Sequence, residues 1–328
     1  AVRRRRAIAV SLLTITVVVL VCAFALHFSP LFALIPAALL AAVLALGVRA
    51  SKQAVAWERK VARYHAKVKK RAAAERKRAQ AEQAERARLR AQELAEARKT
   101  IVGLETIPEN NVVNFARLYK AYKSYVGENH IGALCSRCWP DFFTEFGTPV
   151  CSVLSLLNAN GVSASCESDA YGALSMFIGS DLTSRSCFFG DPVSMNEKDG
   201  TITFWHCGMA ACDLARKDTG AQVGVHPNRK IGPVMDFGCE ACEHVTIFRV
   251  GRKPDGSFRF FIAEGSALDK PKQFNGTSVV VKTVESAKDV VYGTVKGGWE
   301  PHFVVVYGQV ANELEKLGNM LGVEVCKF

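Results

Sequence analysis

The chain has 328 residues, 49% of them hydrophobic and 22% charged, with a formal net charge of +11 at pH 7. That length leaves room for two or three units. The charge is uneven: residues 1–100 hold 21 Lys/Arg against 6 Asp/Glu, while residues 101–328 hold 21 against 25. A basic total usually points to a polyanion partner, but only the first third is basic, so nucleic-acid binding is not expected of the chain as a whole. The remainder is mildly acidic and reads as a soluble enzyme.

Cys22 lies in an apolar run and the other ten cysteines fall between Cys135 and Cys326. Ten thiols can form five disulfides in an exported protein. This region is too long and too rich in apolar strands to need such staples, so the cysteines read as reduced thiols in a cytosolic setting.

Arg3 to Arg6 precede the uncharged run Ala7–Leu26, whose 20 residues make a helix about 30 Å long, enough to cross a bilayer core. His27, Phe28, Ser29 and Pro30 break the run, and Leu31–Val48 supplies 18 more uncharged residues, with Pro36 tolerable inside a membrane helix. Basic residues flank both outer ends (Arg3–Arg6; Arg49, Lys52, Arg59, Lys60) and are absent from the connection, which places both ends in the cytoplasm. Residues 1–50 therefore read as a two-helix transmembrane hairpin. A signal peptide cleaved near Ala23-Phe24-Ala25 is the competing reading.

Residues 51–99 are rich in Ala, Arg, Lys, Glu and Gln and contain neither Gly nor Pro, so a long charged helix is expected. Glu82 and Arg86 stand at i,i+4. Val61, Tyr64 and Val68 begin a coiled-coil series, but no large apolar residue continues it from Arg71 to Arg88, which favours a solvated single helix over a coiled coil. Such a helix beside a membrane suits anionic lipid better than nucleic acid.

Near Thr100 the low-complexity style ends, as if two unrelated pieces were joined. An α/β pattern follows. Helices are expected at Asn111–Val126, Thr148–Asn158 and Asp169–Ile178, with strands at His130–Cys135 and Val162–Cys166. After Arg185 strands dominate: Cys187–Gly190, Thr201–Cys207, Val245–Val250, Phe258–Ala263, Ser278–Val284 and Phe303–Tyr307. Arg252-Lys253-Pro254-Asp255-Gly256 has hairpin-turn chemistry. Val310–Leu321 closes the chain as an amphipathic helix with Val310, Leu314, Leu317 and Leu321 on one face. The expected architecture is a membrane hairpin (1–50), a charged helix (51–99), a partial α/β layer (100–165) and a strand-rich, β-barrel-like domain (166–328).

Four segments place reactive side chains at strand ends: Cys166-Glu167-Ser168-Asp169, Phe189-Gly190-Asp191-Pro192, Trp205-His206-Cys207-Gly208 and Trp299-Glu300-Pro301-His302. Carboxylates and imidazoles so placed can hold a divalent cation with open positions. Singly, an acid at a helix start is more often a cap, and a His at a strand end a satisfied structural residue. Cys135-x-x-Cys138 and Cys239-x-x-Cys242 offer a rival, the half-sites of a four-cysteine zinc centre, although about a hundred residues separate them. Asn275-Gly276-Thr277 fits a glycosylation acceptor only in a lumenal protein; with cytoplasmic placement it is a turn.

In order along the chain, CSRCWPDFF from Cys135, CESDAYGAL from Cys166, FFGDP around Asp191, FWHCG from Phe204, GVHPNR from Gly224 and WEPHFVVVYG from Trp299 resemble the fucose isomerase-like branch of the L-fucose and L-arabinose isomerase superfamily. The resemblance covers about two-thirds of the chain and none of residues 1–99. It implies a metal-dependent aldose–ketose isomerase, commonly manganese-dependent, that moves a proton between C1 and C2 of an open-chain sugar through an enediolate. It maps the cation onto Glu167, Asp191 and His302, with one or both of Glu167 and Asp191 also relaying protons. His206 matches a site histidine that ligates the metal in the arabinose branch, and Arg229 and Trp299 fall on the substrate side. The family further implies a homo-oligomer and two α/β domains ahead of the catalytic one, of which residues 101–165 match only the end of the second. A catalytically incomplete, membrane-anchored sugar-binding or scaffold protein is the alternative reading.

Overall fold

A computed structural model describes residues 2–26, 29, 31 and 34–328. The chain divides into two compact units, Ala1–Arg86 and Ala87–Phe328. The first holds helix α1 (Val2–Ala25) and most of α2 (Leu34–Thr100). His27, Phe28 and Pro30 of the expected break lie outside the described residues. Both helices are long and apolar enough to cross a membrane. Ile8, Val10, Leu13, Val17, Val18 and Val21 of α1 are exposed, and the Thr14 and Thr16 hydroxyls donate back to the carbonyls of Val10 (2.9 Å) and Leu12 (2.7 Å). Such back-bonding satisfies a hydroxyl where no water reaches it. The second apolar run and the charged stretch form one 67-residue helix instead of two elements. Gly47 is the one weak helix former near Arg49, and the Ala- and Leu-rich run before it and the Ala-, Lys- and Arg-rich run after it carry the helix through. Tyr64 and Val68 are exposed on α2, and Arg86 pairs with Glu82 at 2.6 Å.

The second unit opens with α3 (Glu109–Glu128), β1 (Ala133–Cys135), the short α4 (Asp141–Thr144), α5 (Cys151–Ala159), β2 (Ser163–Ser165) and α6 (Ala170–Thr183). Strands β1 and β2 pair in parallel, Leu134 opposite Ala164; α6 packs on both, α5 on β2, and α3 on α5. This is the expected α/β layer, with strands trimmed to three residues each.

Beyond Ser184 lie β3 (Cys187–Asn196), β4 (Thr201–His206), the two-residue β5 (Val223–Gly224) and β6 (Val234–Met235), β7 (Cys242–Arg252), β8 (Phe258–Ala267), β9 (Thr277–Thr283), α7 (Ala287–Lys296), β10 (Phe303–Val306), α8 (Ala311–Leu321) and β11 (Glu324–Lys327). The order β8-β7-β10-β3-β4-β9 closes on itself, because β9 also pairs with β8, to give a six-stranded barrel; β11 adds to β8 in parallel outside the ring. Closure removes the free edges that an open sheet would expose. Phe188, Phe189, Phe204, Phe248, Phe261 and Phe303 are fully buried. All four residues of β10 and Val245–Gly251 of β7 are buried as well, since α6 packs across β7, β10 and β3. Strands covered on both faces read as continuous apolar runs, which is why the sequence shows them so plainly.

Two expectations are corrected. Asp191 does not lie beyond β3 but within it, opposite Trp205 of β4; the strand runs on to Asn196 after a register shift between Pro192 and Ser194. On α8, Leu314 is buried but Leu321 is 61% exposed, because Gly322 ends the helix in a left-handed turn that lifts its last residue from the barrel.

Gly190 fixes how closely β3 approaches β4 just before Asp191: a Cβ there would stand 2.5 Å from the carbonyl oxygen of Trp205. Gly190→Ala must spread two paired strands, so we expect a loss of about 1–3 kcal/mol, measured by denaturant unfolding of the barrel-bearing unit within the full chain.

Candidate active site

Asp169 caps α6, its Oδ1 accepting from the Gly172 N–H at 2.8 Å. This is the ordinary role of an acid at a helix start, but the same carboxylate does more. The buried Arg249, on barrel strand β7, donates from Nη1 to Oδ2 (2.5 Å) and from Nη2 to Oδ1 (2.9 Å). His302 Nδ1 lies 3.0 Å from Oδ2. Burial pushes the Asp169 carboxyl up, but the hydrogen bonds from His302 and Arg249 outweigh it and hold the group well below the usual carboxylate range. An ionised Asp169 can only accept, so Nδ1 of His302 carries a proton and the Nε2 edge of the ring faces outward.

That edge faces the two acids expected from the sequence. His302 Nε2 lies 3.9 Å from Glu167 Oε2 and 3.8 Å from Asp191 Oδ1. The imidazole is buried and tilted against Phe189, with ring centroids 4.5 Å apart, whereas the Glu167 and Asp191 side chains are 43% and 31% exposed. Three elements of different sequence neighbourhoods meet here: the β2–α6 turn, strand β3 and the approach to β10. Among the described residues neither Glu167 nor Asp191 is paired with Lys or Arg.

Glu167 and Ser168 have φ of 58° and 60°, the left-handed region in two successive residues with side chains. Each costs about 1–2 kcal/mol relative to ordinary backbone. The turn is held by the Ser168 N–H donating to the Ser136 carbonyl (3.1 Å) and the Asp169 N–H to the Cys166 carbonyl (3.1 Å). Strain of this kind persists where surrounding structure over-determines it, and here it carries a carboxylate toward the imidazole.

His206 is buried, with its ring 5.3 Å from that of His302 and 5.4 Å from Phe189. Burial alone would depress its pKa, but Cys207, Glu167 and Asp191 together raise it to about 9. Its ligand atom and that of Glu167 lie within 4.8 Å of each other and of Cys207 Sγ. Arg229 places its guanidinium 4.2 Å over the ring of Trp139, and Trp139 lines an open depression with Arg137, Cys138, Glu167 and Ser168. Trp299 sits elsewhere, under the Arg259 guanidinium (3.9 Å) and edge-on to Phe261. The structure therefore brings together Glu167, Asp191, His302 and His206, sets Arg229 at the rim of the depression, and leaves Trp299 among structural contacts.

The two C-x-x-C pairs do not meet. Cys239 is buried beside Tyr307 and Cys242 bonds the His244 carbonyl, whereas Cys138 is buried against Cys166. Sequence reasoning missed Arg249 altogether. Its one signal is a cation within an otherwise apolar strand, Val245–Val250, a position at which a charge is kept only when paired.

Residues 232–328 match the family described as L-fucose isomerase, C-terminal domain. The chain is 64% identical over 228 residues to a sulfoquinovose isomerase of Clostridium sp. (strain MSTE9), covering 70% of this chain and 51% of that protein. It is 45% identical over 233 residues to a sulfoquinovose isomerase of Priestia megaterium (71% and 52%) and 42% identical over 237 residues to one of Alkalicoccus urumqiensis (72% and 53%). The chain spans about half the length of these relatives.

Removing the Arg249 charge strands a buried carboxylate at the head of α6. Arg249→Met is expected to cost about 3–5 kcal/mol, and the double variant Asp169→Asn/Arg249→Met less than the sum of the two single changes, measured by denaturant unfolding as a double-mutant cycle.

Proposed function

We propose that this chain, whose C-terminal part belongs to the fucose isomerase-like family, carries the proton-transfer site of a metal-dependent aldose–ketose isomerase, with sulfoquinovose as the first substrate to test. The observation that supports the reading is the meeting of Glu167 and Asp191 on the Nε2 edge of His302, at 3.9 and 3.8 Å. Two carboxylates and a neutral imidazole nitrogen are donors that suit manganese or a similar divalent ion. The fit is electrostatic too: two partly exposed acids face a ring whose other nitrogen is already committed to Asp169. Glu167, Asp191 and His302 would hold the ion, with His206 behind them. When bound, it supplies Lewis-acid polarisation of the sugar carbonyl.

The remaining work belongs to side chains. Converting an open-chain aldose to its ketose moves one hydrogen from C2 to C1 and one from the C2 hydroxyl to the carbonyl oxygen. A carboxylate at the site, Glu167 or Asp191, takes the C2 proton and returns it to C1. Asp169 and Arg249 keep the His302 ring in one orientation throughout, the positioning that such chemistry requires. Sulfoquinovose carries a sulfonate remote from the reacting carbons, and Arg137 and Arg229 supply cations around the depression beside Glu167 for an anion of that kind.

Incubating the full chain with manganese and sulfoquinovose is expected to yield the ketose, and chelation to stop it. Glu167→Gln and Asp191→Asn should each lower kcat/KM by about 100-fold or more and weaken manganese binding in calorimetry. Manganese binding without ketose formation would instead favour the catalytically incomplete, sugar-binding reading. The neighbouring copy of a homo-oligomer is then where the missing contacts belong.

We further propose that α1 and the start of α2 anchor this unit to the cytoplasmic face of a membrane, a reading supported by their length and exposed apolar side chains. The full chain should stay in the membrane pellet through an alkaline carbonate wash; release into the supernatant would overturn the anchor.

A further inference from the structure

Behind the acid–imidazole cluster lies a second group of ligand-type atoms that the isomerase reading does not use. Cys138, Cys151, Cys166 and Cys207 are all buried, at 1%, 0%, 0% and 5% exposure. They come from four separate places: the turn after β1, the start of α5, the end of β2 and the end of β4. The sulfurs of Cys151, Cys166 and Cys207 lie within 4.8 Å of one another. Cys151 and Cys207 are 3.9 Å apart, and Cys138 lies beside Cys166.

The spacing discriminates between the things four thiols can do. A disulfide requires sulfurs about 2.05 Å apart, so none is formed. Sulfurs bound about 2.3 Å from a zinc ion stand about 3.8 Å from each other in a tetrahedron, close to the Cys151–Cys207 separation. Buried cysteines acting only as small hydrophobes have no reason to converge from three elements at ligand spacing.

We propose that Cys151, Cys166 and Cys207, with Cys138 beside Cys166 as the fourth donor, form a binding site for one thiophilic d10 cation, zinc(II) or copper(I). Each thiol that ligates releases its proton to solvent. The resulting thiolate charge is offset by His206, whose Nδ1 lies 3.3 Å from Cys207 Sγ. Hardness separates the two sites: thiolates select soft and borderline ions, while Glu167, Asp191 and His302 select a hard one. The consequence for the neighbouring site is direct, since Cys166 precedes Glu167 and Cys207 follows His206. An ion held by these sulfurs clamps both backbones, including the left-handed turn at Glu167 and Ser168. The proposal does not depend on the isomerase reading.

The test is titration of the full chain, solubilised in mild detergent and kept reduced and anaerobic, with cadmium. One equivalent is expected to produce a thiolate-to-cadmium charge-transfer band. Cys151→Ala and Cys166→Ala should each abolish it, and Glu167→Gln/Asp191→Asn should leave it intact. Circular dichroism checks that each variant is folded. Should the alanine variants fail to fold, X-ray absorption at the cadmium edge of the unaltered chain decides alone: sulfur neighbours support the site, oxygen and nitrogen neighbours alone overturn it. Absence of the band, its survival in both cysteine variants, or its loss only in the Glu167/Asp191 variant would each overturn the proposal as well.

Discussion

The Asp169 carboxylate is the point through which this unit is organised. It closes the first turn of α6, accepts two hydrogen bonds from Arg249 inside a barrel strand and orients His302 ahead of β10. A buried ion pair of this geometry contributes little net stability against a well-packed apolar substitute, because both charges must leave water. What it contributes is registration. Helix α6 docks on the barrel in the one position where its capping residue reaches both Arg249 and His302, and that position sets Glu167, two residues earlier, against the imidazole. Site geometry is thus a by-product of how the α/β layer meets the barrel.

Much of this was legible in the chain. The barrel strands announce themselves as apolar runs because α6 and the barrel interior cover both faces of β7 and β10. The four segments holding Glu167, Asp191, His206 and His302 stood out because acids and imidazoles interrupt those runs, and the family resemblance chose Glu167, Asp191 and His302 among them. Convergence could not be read, since 135 residues separate Glu167 from His302 and no local pattern reports a closed six-stranded ring. Arg249 was hidden for a related reason: its partner is 80 residues away, and a lone cation in an apolar strand has no local meaning. Helix α7 escaped because its Val-rich stretch is equally good strand sequence; only Ser286, whose hydroxyl accepts from the Asp289 N–H, marks its start. The zinc rival failed on pairing, not on chemistry. Short spacing singled out Cys135/Cys138 and Cys239/Cys242, while the fold gathers thiols from four unrelated positions.

The mixed donor sets also bear on why the Glu167 turn tolerates two residues with positive φ. Backbone strain of a few kcal/mol in all must be held by contacts that cannot relax together. The restraints on this turn include the Ser136 carbonyl accepting from the Ser168 N–H, the Asp169 network, and the buried Cys166 side chain immediately before it. The first two are polar and lie on the downstream side. On the upstream side the Ser165 carbonyl accepts from the Ser136 N–H (3.0 Å) and the Cys166 side chain is buried beside other thiols. A turn strained at its centre and pinned at both ends projects Glu167 with little freedom, which is what a proton-transfer group needs if its distance from a substrate carbon is to be reproducible. Rigidity here is therefore built from soft donors behind and hard donors in front, with the peptide between Cys166 and Glu167 shared by both.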